Sequence, residues 1–138
     1  FANDPATAQQ VESARTDIKA AIVQAAAEVP ITQAKTLVAV AGTATTVAAA
    51  ALNLPEYDRY AIHLARITAA QVHEASTIFL TKNREERLAL GYMHPGRVDV
   101  IPAGALVLSE IIKATGATGF VASESDILDG MARSLVNG

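Results

Sequence analysis

The residues best suited to chemistry lie in one stretch, Gly42-Thr43-Ala44-Thr45-Thr46, directly after the apolar run Leu37–Ala41. The apolar run is short and β-branched, which is typical of a buried, parallel strand. The alanine-rich residues after the stretch favour a helix. A strand, a tight glycine turn and a helix together predict a phosphate site, because N–H groups of the helix's first turn face any anion placed there.

The residue types in this stretch suit a ligand-binding role. Gly42 lets the backbone approach a ligand closely. The hydroxyls of Thr43, Thr45 and Thr46 can cap the helix or donate to a phosphate oxygen. We predict that these four residues line a cleft. The alternative is a capped helix that follows a buried strand and binds nothing. The stretch lacks the second glycine and the lysine of a Walker loop.

A turn-rich loop further along the chain carries two more candidates, His94 and Arg97. Both can contact a polyanion. The alternatives are a hydrogen bond by which His94 fixes the loop, and a local ion pair between Arg97 and Asp99. The other histidines, His63 and His73, share no metal-binding spacing with His94, and we expect a structural hydrogen bond at His63.

No complete active site is visible. The sequence has no Ser/His/Asp order, carboxylate pair or HExxH pattern, and with no cysteine it offers neither a thiol nucleophile nor a Cys-ligated zinc. The net charge of −3 predicts no broad attraction to nucleic acid or to an anionic membrane. No apolar run approaches the roughly 20 residues of a transmembrane helix. We therefore predict no catalytic or metal-binding residue in this chain, and a cytoplasmic protein.

Apolar periodicity and end signals predict the helices that position these residues. Asp4-Pro5 resembles an N-cap followed by a proline, and the helix that it begins ends at Pro30. Thr68 is the predicted N-cap of a helix that reaches about Leu80.

The second half of the chain predicts three more helices. Arg84–Arg87 belongs to a short polar helix whose charges we expect to be solvated. A largely buried helix over 98–112 begins or bends at Pro102. Ser123 or Ser125 is expected to cap the final helix. Its apolar residues are predicted to face the core: Ile127, Leu128, Met131 and Leu135.

Two short strands, Leu37–Ala41 and Phe120–Ala122, are separated by helical segments and should lie parallel in one sheet. The predicted fold class is α/β, helix-rich with a small parallel sheet. Two parallel strands are too few for a complete α/β domain. We therefore expect further strands upstream of Phe1. If the chain truly begins at Phe1, one of the two strands would have an unpaired edge that invites pairing with a second chain, so we then expect a homodimer.

These segments, taken in order, resemble the exopolyphosphatase/guanosine pentaphosphate phosphatase (Ppx/GppA) family, and its actinobacterial members in particular. Val38–Thr46 is similar to the family's G-G-T-x-T-T segment, and His94–Ala105 to its P-x-R-A-D-V-I-x-x-G-A segment. Three other segments match in the same order: Leu54–Tyr57 with Ile62-His63, Arg84–Arg87 before Gly91, and Ala122–Gly130. Ala41 stands where the family has the first glycine of G-G-T, and Leu64 where it has the glycine after V-H.

The resemblance implies an actin-like fold with two RNase H-like domains and an active-site cleft between them. Residues 1–138 would form one unit, the C-terminal portion of the second domain. The family's phosphate loop, D-I-G-G-G-S-T-E, and its catalytic glutamate are expected upstream of this sequence. Mg²⁺ is the implied cofactor, with its ligands also outside this chain.

The resemblance further implies a phosphatase that hydrolyses terminal phosphoanhydride bonds of inorganic polyphosphate or guanosine pentaphosphate. We expect these 138 residues alone to be inactive. The implied partner is polyphosphate or a guanosine penta- or tetraphosphate. Two alternatives stay open: a non-catalytic module that binds nucleotide or phosphate and senses guanosine alarmones, and a dimerisation half-domain. The candidate substrate-binding residues are Gly42, Thr43, Thr45, Thr46, His94 and Arg97.

Overall fold

The computed structural model describes residues 1–136. Asn137 and Gly138, the last two residues of the predicted 1–138 unit, lie outside the described residues. The described residues form seven α-helices and three short strands. In chain order these are α1 Ala8–Glu28, β1 Val38–Val40, α2 Ala41–Ala51, α3 Arg59–Ile62, β2 Arg66–Thr68, α4 Ala69–Thr81, α5 Arg84–Leu88, α6 Ile101–Thr115, β3 Gly119–Ser123 and α7 Ile127–Val136. Short 3₁₀ turns lie at Ile31–Gln33 and Pro95–Arg97.

The three strands form one sheet in the order β1-β3-β2. β1 and β3 are parallel, with Val38 opposite Val121, which confirms the predicted pairing. β2 is antiparallel to β3, with Ile67 opposite Phe120. The sheet is therefore mixed, and not purely parallel as predicted. Three residues are too few to show the alternation by which a strand is recognised, which is why the sequence did not reveal β2.

The core lies between one face of this sheet and helices α2, α4 and α6. Alanine side chains from α2, such as Ala48 and Ala49, are fully buried, which lets the neighbouring helices approach closely. Larger side chains fill the remaining space: Val47, Ile67, Val72, Phe79, Ile112 and Phe120. The core thus holds the start of α2 rigidly at one edge of the sheet.

Two predicted burials are wrong. β1 is an edge strand, and Val38 and Val40 are 56% and 49% exposed; Ala39 between them is half-buried. On α7, the apolar residues predicted to face the core are all exposed: Ile127, Leu128, Met131 and Leu135. Periodicity identifies an apolar face, but what covers that face depends on other segments.

Hydrogen bonds at the helix starts confirm some caps and correct others. Thr68 and Gln71 form a capping box at α4, as predicted for Thr68. The cap of α1 is Thr7, and Asp4 is not its cap. Asp126 accepts the Leu128 N–H at the start of α7, so neither predicted serine caps that helix.

Two further features concern α5 and α6. α6 begins at Ile101 with Pro102 in its first turn, where the N–H that proline lacks would have no intrahelical partner in any case. In α5, Arg87 is buried at 3% exposed, so the prediction of solvated charges is wrong for this residue. Its guanidinium finds acceptors on sequence-distant segments, which a charge pattern does not reveal.

A buried carboxylate joins α1 to α6. Glu110 is 2% exposed and forms ion pairs with Arg15 at 2.6 Å and Lys113 at 2.9 Å. Desolvation alone would raise the pKa of Glu110. The hydrogen bond from Lys113 and the charges of Lys113, Arg15 and Lys19 outweigh desolvation and lower this pKa below its usual value. Arg15 also forms an ion pair with Glu12, whose side chain is exposed.

We expect Glu110→Gln to lower the free energy of unfolding at pH 7 by about 2 kcal/mol, because it leaves two cations without their shared carboxylate. The native pKa is lowered, so the stabilisation is present above the unfolded pKa and disappears as pH falls through the native value. Urea unfolding at pH 7 and pH 3 should show a difference between wild type and variant that is larger at pH 7 than at pH 3. Glu12→Gln is the exposed control, and equal midpoints for Glu110→Gln and wild type at pH 7 would contradict this account.

Candidate functional site

The candidate site lies at the edge of the sheet where the parallel strands β1 and β3 end. α2 begins at Ala41, immediately after β1, so Gly42 belongs to the first helical turn and not to a preceding glycine turn as predicted. The N-cap residue Val40 has no side-chain cap. The first N–H groups of α2 are therefore free of any capping side chain and make this helix end electropositive.

Two residues near the site adopt backbone angles that favour glycine. Ala41 has a φ of 69° and Leu64 a φ of 65°. At both of these positions the Ppx/GppA pattern carries glycine, whereas this chain carries another residue. A side chain in this left-handed region costs about 1–2 kcal/mol. The sharp passage from β1 into α2 therefore requires a conformation that alanine adopts only under strain.

The predicted threonines are mostly turned into the protein. Thr45 and Thr46 are buried, and their hydroxyls donate to the carbonyl of Gly42, at 3.4 Å and 2.7 Å. Thr43 is half-buried and faces α6, where a Cβ built on Gly104 would lie 2.7 Å from its Oγ1. At the surface, this stretch therefore presents backbone groups, including those of Gly42, more than it presents threonine hydroxyl groups.

Arg97 reaches across to the start of α2. Its Nη1 donates to Thr46 Oγ1 at 3.2 Å, and a Cβ built on Gly42 would lie 2.6 Å from its Nε. Its guanidinium carbon lies 5.6 Å from the centroid of the Tyr57 ring, within cation–π range. The structure thus brings Arg97 next to Gly42 and Thr46, although Arg97 lies 51 positions from Thr46 in the sequence.

The predicted Arg97–Asp99 ion pair is wrong. Asp99 pairs instead with Arg84, at 3.0 Å. Within residues 1–136, Arg97 forms no ion pair. An arginine beside the positive end of a helix, with no carboxylate to neutralise it, makes this point on the surface attractive to an anion.

His94 has the loop-fixing role that was the alternative to anion contact. Its Nδ1 accepts the N–H of Gly96 at 3.0 Å, so the ring proton of a neutral His94 lies on Nε2. It also borders a cavity of about 290 Å³ beside Arg97. The other side chains that line this cavity are Tyr57, Tyr92, Met93 and Pro95.

Sequence reasoning missed Tyr57, whose ring lies beside Arg97, and Glu124, which bonds to Tyr57. Tyr57 donates its hydroxyl proton to Glu124 Oε1 at 2.6 Å, and the N–H of Glu124 donates to His63 Nδ1 at 3.2 Å. The second bond confirms the structural role expected for His63. Gly91 allows this arrangement, because a Cβ there would lie 1.9 Å from the carbonyl oxygen of Pro55. No short-range pattern links residues 67 positions apart, so the sequence carried no signal for the Tyr57–Glu124 contact.

The chemistry that this arrangement supports is anion binding. Arg97 and the backbone of α2 supply positive charge. In the part of the chain that the structure describes, no group of three or more histidine or acidic side chains could hold a metal ion.

Comparison with known proteins agrees with the sequence motifs. A sequence model of the Ppx/GppA phosphatase family matches residues 1–135. The chain belongs to the Ppx/GppA phosphatase family. It is 41% identical over 137 residues to exopolyphosphatase 2 of Mycobacterium tuberculosis, a match that covers 96% of this chain and 43% of that protein.

Solved structures of Ppx/GppA and related proteins show the same fold. The crystal structure of an exopolyphosphatase-like protein matches with a TM-score of 0.90 and 34% identity, over 97% of this chain and 45% of that one. The Ppx/GppA family member from Aquifex aeolicus matches with a TM-score of 0.84 and 22% identity, over 99% and 44%. These matches confirm the predicted actin-like, RNase H-related fold class. The chain spans less than half the length of these relatives.

A separate observation concerns membranes. Among residues 1–136, no helix combines the length and the apolar character needed to cross a bilayer.

We expect Ala41→Gly to raise the free energy of unfolding by about 0.5–1 kcal/mol, because glycine adopts a positive φ without a steric penalty. Ala50→Gly, in the helical part of α2, is the matched control and should lower it by about 1 kcal/mol. Chemical denaturation of both variants measures the two effects. Destabilisation by Ala41→Gly of the same size as that by Ala50→Gly would contradict the assigned strain.

Proposed function

We propose that this chain forms the phosphate-binding part of a phosphatase that removes terminal phosphate from inorganic polyphosphate. The observation that carries the proposal is the position of Arg97 at the uncapped start of α2, with no ion pair among the described residues. Membership of the Ppx/GppA family supports it, as does the identity to a protein named exopolyphosphatase 2.

Each candidate residue has a specific place in this proposal. Arg97 and the N–H groups near Gly42 and Thr43 contact phosphate oxygens, and they stabilise the negative charge that those oxygens carry during phosphoryl transfer. Thr45 and Thr46 act from inside, with Thr46 holding the guanidinium of Arg97. His94 shapes the loop that presents Arg97 and borders the site.

Guanosine pentaphosphate is a second candidate substrate. The 290 Å³ cavity beside Arg97 has an aromatic and apolar lining, including Tyr57 and Tyr92. A nucleobase suits such a lining, because a planar ring gains from contact with aromatic and apolar side chains. Inorganic polyphosphate has no group that would use this cavity, so tighter binding of guanosine pentaphosphate than of inorganic tripolyphosphate would favour the nucleotide.

Hydrolysis is proposed for the longer protein, because the relatives are more than twice the length of this chain. In that protein these residues would form the C-terminal portion of the second RNase H-like domain. Mg²⁺ and a catalytic glutamate would be supplied from outside these residues, as the family resemblance implies. We propose a cytoplasmic location and no activity for the 138 residues alone.

We expect Arg97→Met to weaken the binding of inorganic tripolyphosphate by about 10- to 100-fold, the usual loss for a charged hydrogen-bond donor. Gly42→Ala should act in the same direction, since its methyl group would displace the guanidinium of Arg97 while favouring the helix. Titration calorimetry on the folded chain measures both. Arg133→Met, an exposed change on α7 that removes the same charge, is the control.

The outcomes separate the alternatives. Wild-type affinity in Arg97→Met would contradict the assigned site. In the longer protein, phosphate release from polyphosphate supports the phosphatase, whereas saturable binding without release supports a non-catalytic, alarmone-sensing module. Absence of any anion binding, together with self-association, would support a dimerisation half-domain.

We also propose that the 138 residues by themselves form a homodimer through the outer edge of β1. That edge has no partner strand among the described residues, and Val38 and Val40 on it are exposed. An exposed apolar edge strand favours pairing with another chain.

Light scattering should therefore give twice the chain mass at high concentration. Val40→Lys should give a monomer, because a lysine on an edge strand opposes pairing. Val23→Lys, at an exposed valine on α1, is the control and should leave the dimer intact. A wild-type monomer at high concentration would contradict the dimer.

A further inference from the structure

Arg87 is a buried cation whose three guanidinium nitrogens all donate hydrogen bonds. Its Nε donates to the carbonyl oxygen of Val98 at 3.0 Å. Nη1 donates to the carbonyl oxygens of Phe79, at 3.4 Å, and Lys82. Nη2 forms an ion pair with Asp4 Oδ1 at 2.8 Å. Burying a charge is costly unless hydrogen bonds and a counter-ion compensate, and here all three nitrogens have acceptors.

These contacts join three separate segments. Phe79 and Lys82 lie at the C-terminal end of α4, where carbonyl groups lack helical partners. Val98 directly follows Arg97. Asp4 belongs to the segment before α1. One side chain therefore connects the end of α4, the Arg97 loop and the N-terminal segment.

The Arg97 loop is anchored by the side chain of Val98, which is fully buried in the core, but few hydrogen bonds tie its backbone to other segments. Its backbone hydrogen bonds are local, from Arg97 N–H to the His94 carbonyl at 2.9 Å and from Val100 N–H to the Arg97 carbonyl at 3.1 Å. The Arg84–Asp99 ion pair joins α5 to this loop but is more than half exposed on both sides, so it contributes little. Within the described residues, the bond from Arg87 is the buried hydrogen bond that fixes the backbone next to Arg97.

Asp4 completes this network from the N-terminal segment. Its Oδ1 accepts from Arg87, and its Oδ2 accepts the backbone N–H of Arg84 at 2.6 Å. Desolvation raises the pKa of Asp4, but the bonds and charges of both arginines outweigh it and lower the pKa. Asp4 is thus ionised at neutral pH and serves as the counter-ion of Arg87.

We infer that Arg87 and Asp4 are a positioning pair, which holds Val98 so that Arg97 faces the start of α2. This inference rests on the proposed function, in which Arg97 binds the anion. Neither residue touches the ligand. The N-terminal segment is thereby coupled to the anion site, because losing its carboxylate leaves Arg87 with backbone carbonyls alone and loosens the loop.

The test compares Asp4→Asn with Asp99→Asn in the full chain. Each removes one carboxylate that pairs with an arginine of α5, so each changes the net charge equally. Only Asp4 pairs with the buried arginine. We expect the Arg97 and Val100 amides to exchange hydrogen about tenfold faster in Asp4→Asn, and at the wild-type rate in Asp99→Asn.

A second measurement asks whether the pair acts through Arg97. Asp4→Asn should weaken tripolyphosphate binding about fivefold to tenfold, and Asp99→Asn should not. In an Arg97→Met background the effect of Asp4→Asn should disappear, because interacting residues are non-additive. Since Asp4 lies on the surface, Asp4→Asn should fold, and circular dichroism at the titration temperature checks that it does.

The outcomes keep the two proposals apart. Equal exchange rates in Asp4→Asn and Asp99→Asn would overturn the positioning pair, as would an Asp4→Asn binding defect that persists without Arg97. If the wild-type chain binds no tripolyphosphate, the proposed function fails, and the exchange rates alone decide whether the pair positions the loop.

Discussion

The parallel pairing of β1 with β3 is the constraint on which the rest of the structure depends. It places the ends of two strands, Val40 and Ser123, side by side although they lie far apart in the sequence. The start of α2 and the residue Glu124 therefore meet at one edge of the sheet. Tyr57 is held there by Glu124, and Arg97 lies against the Tyr57 ring. An electropositive helix end and a cation with no ion-pair partner among residues 1–136 thus share one surface.

Close approach and backbone strain accompany this arrangement. Gly42 and Gly91 have no side chain where Arg97 and the Pro55 carbonyl come near. Ala41 and Leu64 adopt glycine-like angles at two points where the family pattern has glycine. Strain of this kind persists only when surrounding packing imposes it, and the buried alanines of α2 provide that packing.

Charge placement illustrates why residue types alone are a poor guide to pairing. Two arginines of one short helix differ in burial: Arg84 is exposed and pairs with Asp99, whereas Arg87 is buried and pairs with Asp4, which lies on the surface. Arg97, two positions from Asp99, pairs with no carboxylate among residues 1–136. Desolvation and geometry choose the partner in each case, and both depend on segments distant in the sequence.

The sequence by itself determined the local features and the family. Thr68 as a helix cap, the start of α6 near Pro102 as one of two options, the parallel relation of β1 and β3, and the ordered motifs were all readable, because each depends on neighbouring residues or on connection length. Tertiary structure alone decided that β1 and the apolar face of α7 are exposed, that β2 joins the sheet, and that Arg97 meets Gly42 and Thr46. Periodicity shows that a face is apolar, but only the packing of distant segments decides whether anything covers it.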